Sequence, residues 1–392
     1  MIADKMQQLS SAIFSELNKQ KKALMKAGRS MIDFSIGTPD SPPSEYVMKL
    51  LSKATKDPLN YRYAISDSHE LIEAVTHWYR QRYEVVLETD EIVSLLGSQS
   101  GFTELALCLI NPGDIVLVPS PSYPIFTIGP HLAGATLHKM PLLKENNYLI
   151  DFKAIPEHVA QAAKLIIVSY PNNPTAATAP PIFYKELVAF AKRYNIIVLH
   201  DNAYSELLFD GNRGESFLNT PGAKEVGIEF NSLSKTYSIP GCRIAFAVGN
   251  KEIIGALKTL KSHVDYGMFL PFQKVAVSLL TGPQDEVKLI HDLYERRGQF
   301  LIQGLKEIGW DIPLPKGSMF IWAPIPTHYT SSMKFTQDLM HQAGVVVVPG
   351  ISFGNEGEGY VRLALVQNED AMTKAIEQIQ ASNILKSNNL FK

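Results

Sequence analysis

Residues 226–237 read Val226-Gly227-Ile228-Glu229-Phe230-Asn231-Ser232-Leu233-Ser234-Lys235-Thr236-Tyr237. The first half is a short, largely apolar run; the second is a hydroxyl-rich loop that carries a lysine. Apolar residues on successive positions predict a strand buried on both faces, as in a parallel sheet covered by helices. The same pattern recurs upstream. Residues 196–199 are Ile-Ile-Val-Leu, followed by His200-Asp201-Asn202-Ala203-Tyr204. Residues 165–168 are Leu-Ile-Ile-Val, followed by Ser169-Tyr170-Pro171-Asn172-Asn173-Pro174-Thr175. In open α/β sheets ligands bind beyond the carboxyl ends of the strands, so these three polar loops should face one crevice.

Further strands are predicted at 92–96, 115–118, 136–140 and 244–248, with helices at 101–110, 124–133, 181–194 and 251–261. Asn111-Pro112-Gly113-Asp114 is a turn by its own chemistry. The alternation specifies an α/β fold: a mostly parallel, seven-stranded sheet between layers of helices. Near residue 282 the texture changes. A charged helix at 284–308 is followed by shorter strands at 318–322, 345–348 and 360–365 and helices at 331–342 and 370–381. These predict a smaller α+β domain. An N-terminal helix at 6–26, closed by Gly28 at its C′ position, is expected to pack on it, and a strand follows at 32–36. The expected division is a large domain at 44–282 and a small one built from 1–43 and 283–392.

A chain of 392 residues exceeds what one ordinary core organises, which also favours two domains. The 37 basic and 39 acidic residues leave a net charge of −2 with no block of one sign, which argues against a nucleic-acid partner. The two cysteines, Cys108 and Cys242, each sit in apolar surroundings, so neither a disulfide framework nor a thiolate metal site is expected. The ten histidines show no ligand spacing, and no metal is predicted. The first residues are not followed by a signal-peptide run, and the longest apolar stretches, such as 344–349 and 165–168, are far too short to span a membrane. The expected location is the cytoplasm.

Tyr170-Pro171-Asn172-Asn173-Pro174-Thr175, Asp201-x-x-Tyr204, and Ser232-Leu233-Ser234-Lys235-Thr236-Tyr237 followed by Arg243 resemble the motifs of the fold-type I, class I and II aminotransferases. Their order and approximate spacing match from Gly37 to Arg362. Within that family Phe34-Ser35-Ile36-Gly37-Thr38-Pro39-Asp40 and the 226–237 stretch look most like the LL-diaminopimelate/aspartate aminotransferase-like branch. The resemblance implies a pyridoxal 5′-phosphate enzyme that moves amino groups between amino acids and 2-oxo acids by a ping-pong cycle.

It also implies roles. A lysine among hydroxyls just beyond a buried strand has no solvation to gain there, and a desolvated amine forms an imine with an aldehyde. Lys235 matches the family's cofactor-bearing lysine and its proton shuttle. Asp201 matches the acid opposite the pyridine nitrogen; unit charges ~3 Å apart at an effective dielectric of ~20 attract by roughly 5 kcal/mol, or about 4 pKa units. Asn173 and Tyr204 match the partners of the cofactor's phenolic oxygen, and Tyr123 the ring stacked on the pyridine. Ser98 and Gln99, at a strand-to-helix turn, join Ser232, Ser234 and Arg243 around the phosphate. Arg362 matches the residue that takes the substrate α-carboxylate, beside the backbone of Gly37. Tyr63 matches a tyrosine donated by the neighbouring subunit, which implies a homodimer with shared active sites.

The residues also admit plainer readings. Lys235 could be a surface lysine, Asp201 a loop cap, Asn173 a turn residue, Tyr123 a core tyrosine and Arg362 one half of a surface ion pair. Against the branch pattern, Gln99 replaces a lysine, Ala176 a glycine and Cys242 a tryptophan, and no glycine follows Tyr63. A β-lyase or racemase on the same scaffold, or a regulatory protein that senses cofactor or amino acid, are the alternative functions.

Overall fold

A computed structural model describes residues 2–7, 9, 12–212 and 214–386. Seven strands form one sheet in the spatial order Ile92–Leu96, Ile244–Gly249, Gly227–Ser232, Ile197–Asp201, Ala163–Ser169, Ile115–Ser120, Thr136–Pro141. Ile244–Gly249 runs antiparallel to both neighbours, and the other pairings are parallel. Each of the seven predicted strands is present, with ends within two residues of expectation.

Apart from the edge strand Thr136–Pro141, the sheet is buried on both faces. Ile166, Val198, Phe246 and Leu187 belong to one apolar layer; Ile167, Leu199, Phe230, Phe102 and Leu257 belong to the other. Side chains alternate along a strand. Val198 and Leu199 therefore divide between the layers, and the next two residues, His200 and Asp201, divide in the same way. That alternation separates the crevice from a buried polar layer beneath it.

Three helices that the sequence reading passed over, Glu45–Thr55, His69–Tyr83 and Leu270–Thr281, pack together against the first layer. Two of them carry a readable start: the hydroxyls of Ser44 and Ser68 accept from the backbone N–H groups of Val47 and Leu71.

A separate apolar cluster holds Phe34, Tyr294, Leu301, Phe335, Val361, Leu363 and Met372. Over it lies a three-stranded antiparallel sheet in the order Val348–Pro349, Tyr360–Ala364, Phe320–Pro324, while Ile32–Asp33 pairs in parallel with Val345–Val346. The predicted strand at 318–322 begins instead at Phe320, because Ser318 takes a left-handed backbone conformation (φ 64°) that a strand cannot pass through. The run at 345–348 is shared between two sheets. The predicted helix at 331–342 is Ser332–Asp338, widened over Leu339–Ala343 into a π turn that ends at Gly344. The N-terminal helix is divided into Asp4–Gln7 and Ala12–Lys26. Leu17 and Leu24 pack with Met31, Met333, Met340 and Val346, and Gly28 follows at φ 84°. Among the described residues no helix is long and apolar enough to cross a membrane.

Candidate active site

Beyond the carboxyl ends of the central strands lies a cavity of about 290 Å³. Gly37, Ser98, Gln99, Tyr123, Asn173, Asp201, Tyr204, Ser232, Ser234, Lys235, Arg243 and Arg362 all line it. Of the residues singled out from sequence, only Tyr63 lies elsewhere. It is 81% exposed, with its ring 5.6 Å from that of Tyr266.

Lys235 sits on a one-turn helix, Leu233–Thr236, which opens where the Gly227–Ser232 strand stops. The hydroxyl of Ser232 caps that turn by accepting from the Ser234 N–H at 3.2 Å. The lysine Nζ donates to the carbonyl oxygen of Gly37 at 2.8 Å. Burial, helped by the positive charges of Arg362 and Arg243, brings its pKa down to about 8. The ammonium is less stable here than on an exposed lysine, so the neutral nucleophilic amine is reached at a lower pH.

Asp201 ends the Ile197–Asp201 strand and, among the described residues, accepts a single 3.3 Å hydrogen bond, from the Ala203 N–H. Burial pushes its carboxyl up to about 6, with a smaller push from Glu229 and an opposing pull from His200. The group is thus buried and under-solvated, a state that a cationic partner would relieve.

On the far side of the same strands, Glu229 and His200 are fully buried and pair at 2.9 Å. Glu229 also accepts from the Tyr79 hydroxyl at 2.9 Å, the Ser216 hydroxyl at 2.9 Å and the Phe217 N–H at 3.1 Å. This layer was invisible in the sequence, because its members are spread from position 79 to position 229.

The positive end of the cavity is built on close approach. Helix Ser98–Leu109 begins three residues before its predicted start, so its first-turn N–H groups, which lack intrahelical acceptors, face the cavity. Gly97 precedes it at φ 85°, and a Cβ there would lie 2.0 Å from Nη2 of Arg243. Only glycine lets the guanidinium lie against that turn. Gln99 accepts from the Tyr123 hydroxyl at 3.2 Å, and the Ser232 and Ser234 hydroxyls lie 3.0 Å apart.

Arg362 is 5% exposed, in the strand Tyr360–Ala364. Nη1 donates to Oδ1 of Asn173 and Nη2 to the carbonyl of Ser35, each at 2.9 Å. The guanidinium lies between the rings of Phe320 at 4.3 Å and Phe353 at 4.8 Å. Its Nε is buried without a hydrogen-bond partner among the described residues. Burial lowers its pKa to about 10. Tyr204 packs edge-on against Phe320, and burial first, then Asp201, raises its phenol.

Sequence reasoning missed Phe320. It touches Arg362, and its ring would stand 2.9 Å from any Cβ on Gly37. The signal lay in strand register: Phe320 faces Ala364 two residues along from Arg362, so both side chains share a face, but only the pairing reveals this. Asp40 anchors the Gly37 loop, bound by Nη1 and Nη2 of Arg297 at 2.7 and 2.8 Å. Ala176, in place of the usual glycine, still takes a left-handed backbone conformation (φ 58°).

The aminotransferase class I and II family matches residues 29–379. An LL-diaminopimelate aminotransferase of Halothermothrix orenii is 41% identical over 384 residues, 97% of this chain and 98% of that one. The substrate-bound BacF structure from Bacillus subtilis superposes with a TM-score of 0.94 at 36% identity, covering 99% of this chain and 100% of that one. An aspartate aminotransferase mutant of Thermus thermophilus shares the fold, with a TM-score of 0.90 at 24% identity over 97% of this chain and 99% of that one. With the family matched over nearly the whole length and full-length relatives named as aminotransferases, the chain belongs to the class I and II aminotransferases and transfers amino groups between amino acids and 2-oxo acids.

Proposed function

We propose that this aminotransferase carries pyridoxal 5′-phosphate on Lys235 and runs a ping-pong exchange of an L-amino acid for a 2-oxo acid. One observation carries the reading: a buried amine shifted down to about 8 and a buried carboxyl shifted up to about 6 line the same cavity. The residues present fit the cofactor. An amine, an under-solvated acid and a cationic cradle at Gly97 and Arg243 answer its aldehyde, its ring nitrogen and its phosphate.

When bound, the cofactor supplies an aldehyde that accepts amino groups and a ring that withdraws electrons. Lys235 would hold the aldehyde and, once displaced by substrate, carry a proton between the substrate Cα and the cofactor. Asp201 would keep a proton on the ring nitrogen. The N–H groups of Ser98 and Gln99, with Ser232, Ser234 and Arg243, would hold the phosphate, and Tyr123 would stack on the ring. Asn173 uses its amide oxygen on Arg362, which leaves its NH₂ free to donate to the phenolic oxygen beside Tyr204. Arg362 would take the α-carboxylate next to Gly37. Tyr63, exposed in one chain, would complete the site of a second copy in a homodimer, and the enzyme would work in the cytoplasm.

The relatives make LL-diaminopimelate the first donor to test, within a panel of amino acids added to the purified holoprotein. The proposal expects a donor to convert the cofactor band stably and a 2-oxo acid to reverse the change. Pyruvate with ammonia would instead indicate β-elimination, and an unresponsive band across the panel would contradict the proposal.

A further inference from the structure

Two ends of the cavity are fastened to one short segment that does not line it. Residues 350–357 leave the Val348–Pro349 strand as two short turns, Gly350–Phe353 and Asn355–Gly357, before the chain enters the strand that bears Arg362. At one end, the ring of Phe353 lies against the guanidinium of Arg362 at 4.8 Å. At the other, the carbonyl of Phe353 accepts from the Ser122 N–H at 2.9 Å, and the carboxylate of Glu356 accepts from the hydroxyl of Ser120. Those two bonds clip the Ser120-Pro121-Ser122-Tyr123 stretch, whose last ring faces the cavity.

The segment has little slack. Gly354 sits at φ 128°, where a Cβ would stand 2.4 Å from the Ser120 hydroxyl oxygen. A Cβ on Gly357 would stand 2.2 Å from the carbonyl oxygen of Gly350. Close-packed groups of this kind pass displacement on to their neighbours.

We infer that residues 350–357 couple the carboxylate-binding end of the site to the ring-stacking end, with Phe353 and Glu356 as positioning residues. A carboxylate drawn to Arg362 presses the guanidinium on the Phe353 ring. Through the Phe353 carbonyl and the Glu356–Ser120 bond, that load reaches the backbone next to Tyr123. The inference rests on the proposed roles of Arg362 and Tyr123.

The test follows the visible circular dichroism of the bound cofactor as holoenzyme is titrated with propionate, a carboxylate that has no amino group to react. Wild-type enzyme should show a saturable change of the band. Glu356→Ala and Ser120→Ala should lose most of that change and raise KM for the amino donor by roughly tenfold, a usual size for coupling between sites. Their affinity for the cofactor should stay as in wild type, and Glu356→Gln, which keeps an acceptor oxygen, should recover the response. Ser120→Ala removes only a hydroxyl and guards against a misfolded Glu356→Ala. Variants that respond to propionate like wild type would overturn the inference, as would a wild-type band that ignores propionate. Absence of any cofactor band in the wild type would overturn the underlying assignment instead.

Discussion

The amine of Lys235 donates to the backbone oxygen of Gly37 at 2.8 Å, joining a loop from near the N-terminus to the end of a central strand. The contact holds the amine inside the cavity while burial and two arginines lower its pKa from 10.5 to about 8. Below that value the folded protein holds a disfavoured ammonium, and above it a free amine. The rate at which cofactor-free protein takes up pyridoxal phosphate should therefore rise through about pH 8 and level off above it. Stopped-flow absorbance across that range measures it. A rate still climbing steeply at about pH 10 would show an ordinary exposed lysine.

Asp201 works in the opposite sense. Its pKa is raised from 3.8 to about 6, so the folded protein resists its ionisation. Without cofactor, stability should fall as pH rises from about 4 to 6, and above that carry a penalty of roughly 3 kcal/mol at most. Asp201→Asn should then melt higher than wild type at about pH 8 in the cofactor-free state, with the gap closing below about pH 4. With cofactor present the same variant should lose about two to four orders of magnitude in rate. Calorimetry with and without cofactor reads the first effect, and single-turnover kinetics the second.

Gly97→Ala places a methyl group where Nη2 of Arg243 lies, at a backbone angle (φ 85°) that costs alanine about 1–2 kcal/mol. The guanidinium must withdraw from the helix start. Cofactor affinity should drop by roughly 30- to 100-fold, the equivalent of 2–3 kcal/mol. Competition by inorganic phosphate for the cofactor site should weaken in parallel. Equilibrium dialysis at fixed salt gives both numbers, and unchanged affinity would remove Arg243 from the cradle.

Much of this was legible because the central strands are rich in aliphatic residues and the loops that follow them are polar. Ile228, Phe230 and Val198 could only be buried, and Lys235, Asp201 and Asn173 followed at the points where those strands stop. Helix starts were harder. Ser98 and Gln99 read as loop, yet Gly97 lets a helix begin there. The strand at 320–324 slipped by two residues because nothing local announces a left-handed serine at 318. Groups that act by pairing across the fold, such as Phe320 on Arg362 or Glu229 on His200, leave no local pattern to find.

Tyr63 offers a test of shared sites. Lys235→Ala and Tyr63→Ala homodimers should each be impaired. If Tyr63 serves the neighbouring subunit, mixing the two after reversible dissociation should restore activity, because in each mixed dimer one site receives both native residues. Activity that never exceeds the mean of the separate preparations would place Tyr63 within its own subunit or outside the mechanism.

The most direct measurement reduces the holoprotein with borohydride, digests it and maps the peptide that keeps the cofactor's absorbance. Attachment at Lys235 is the expected result. Cofactor fixed to a different lysine, or full occupancy with Lys235 unmodified, would contradict the assignment of the site.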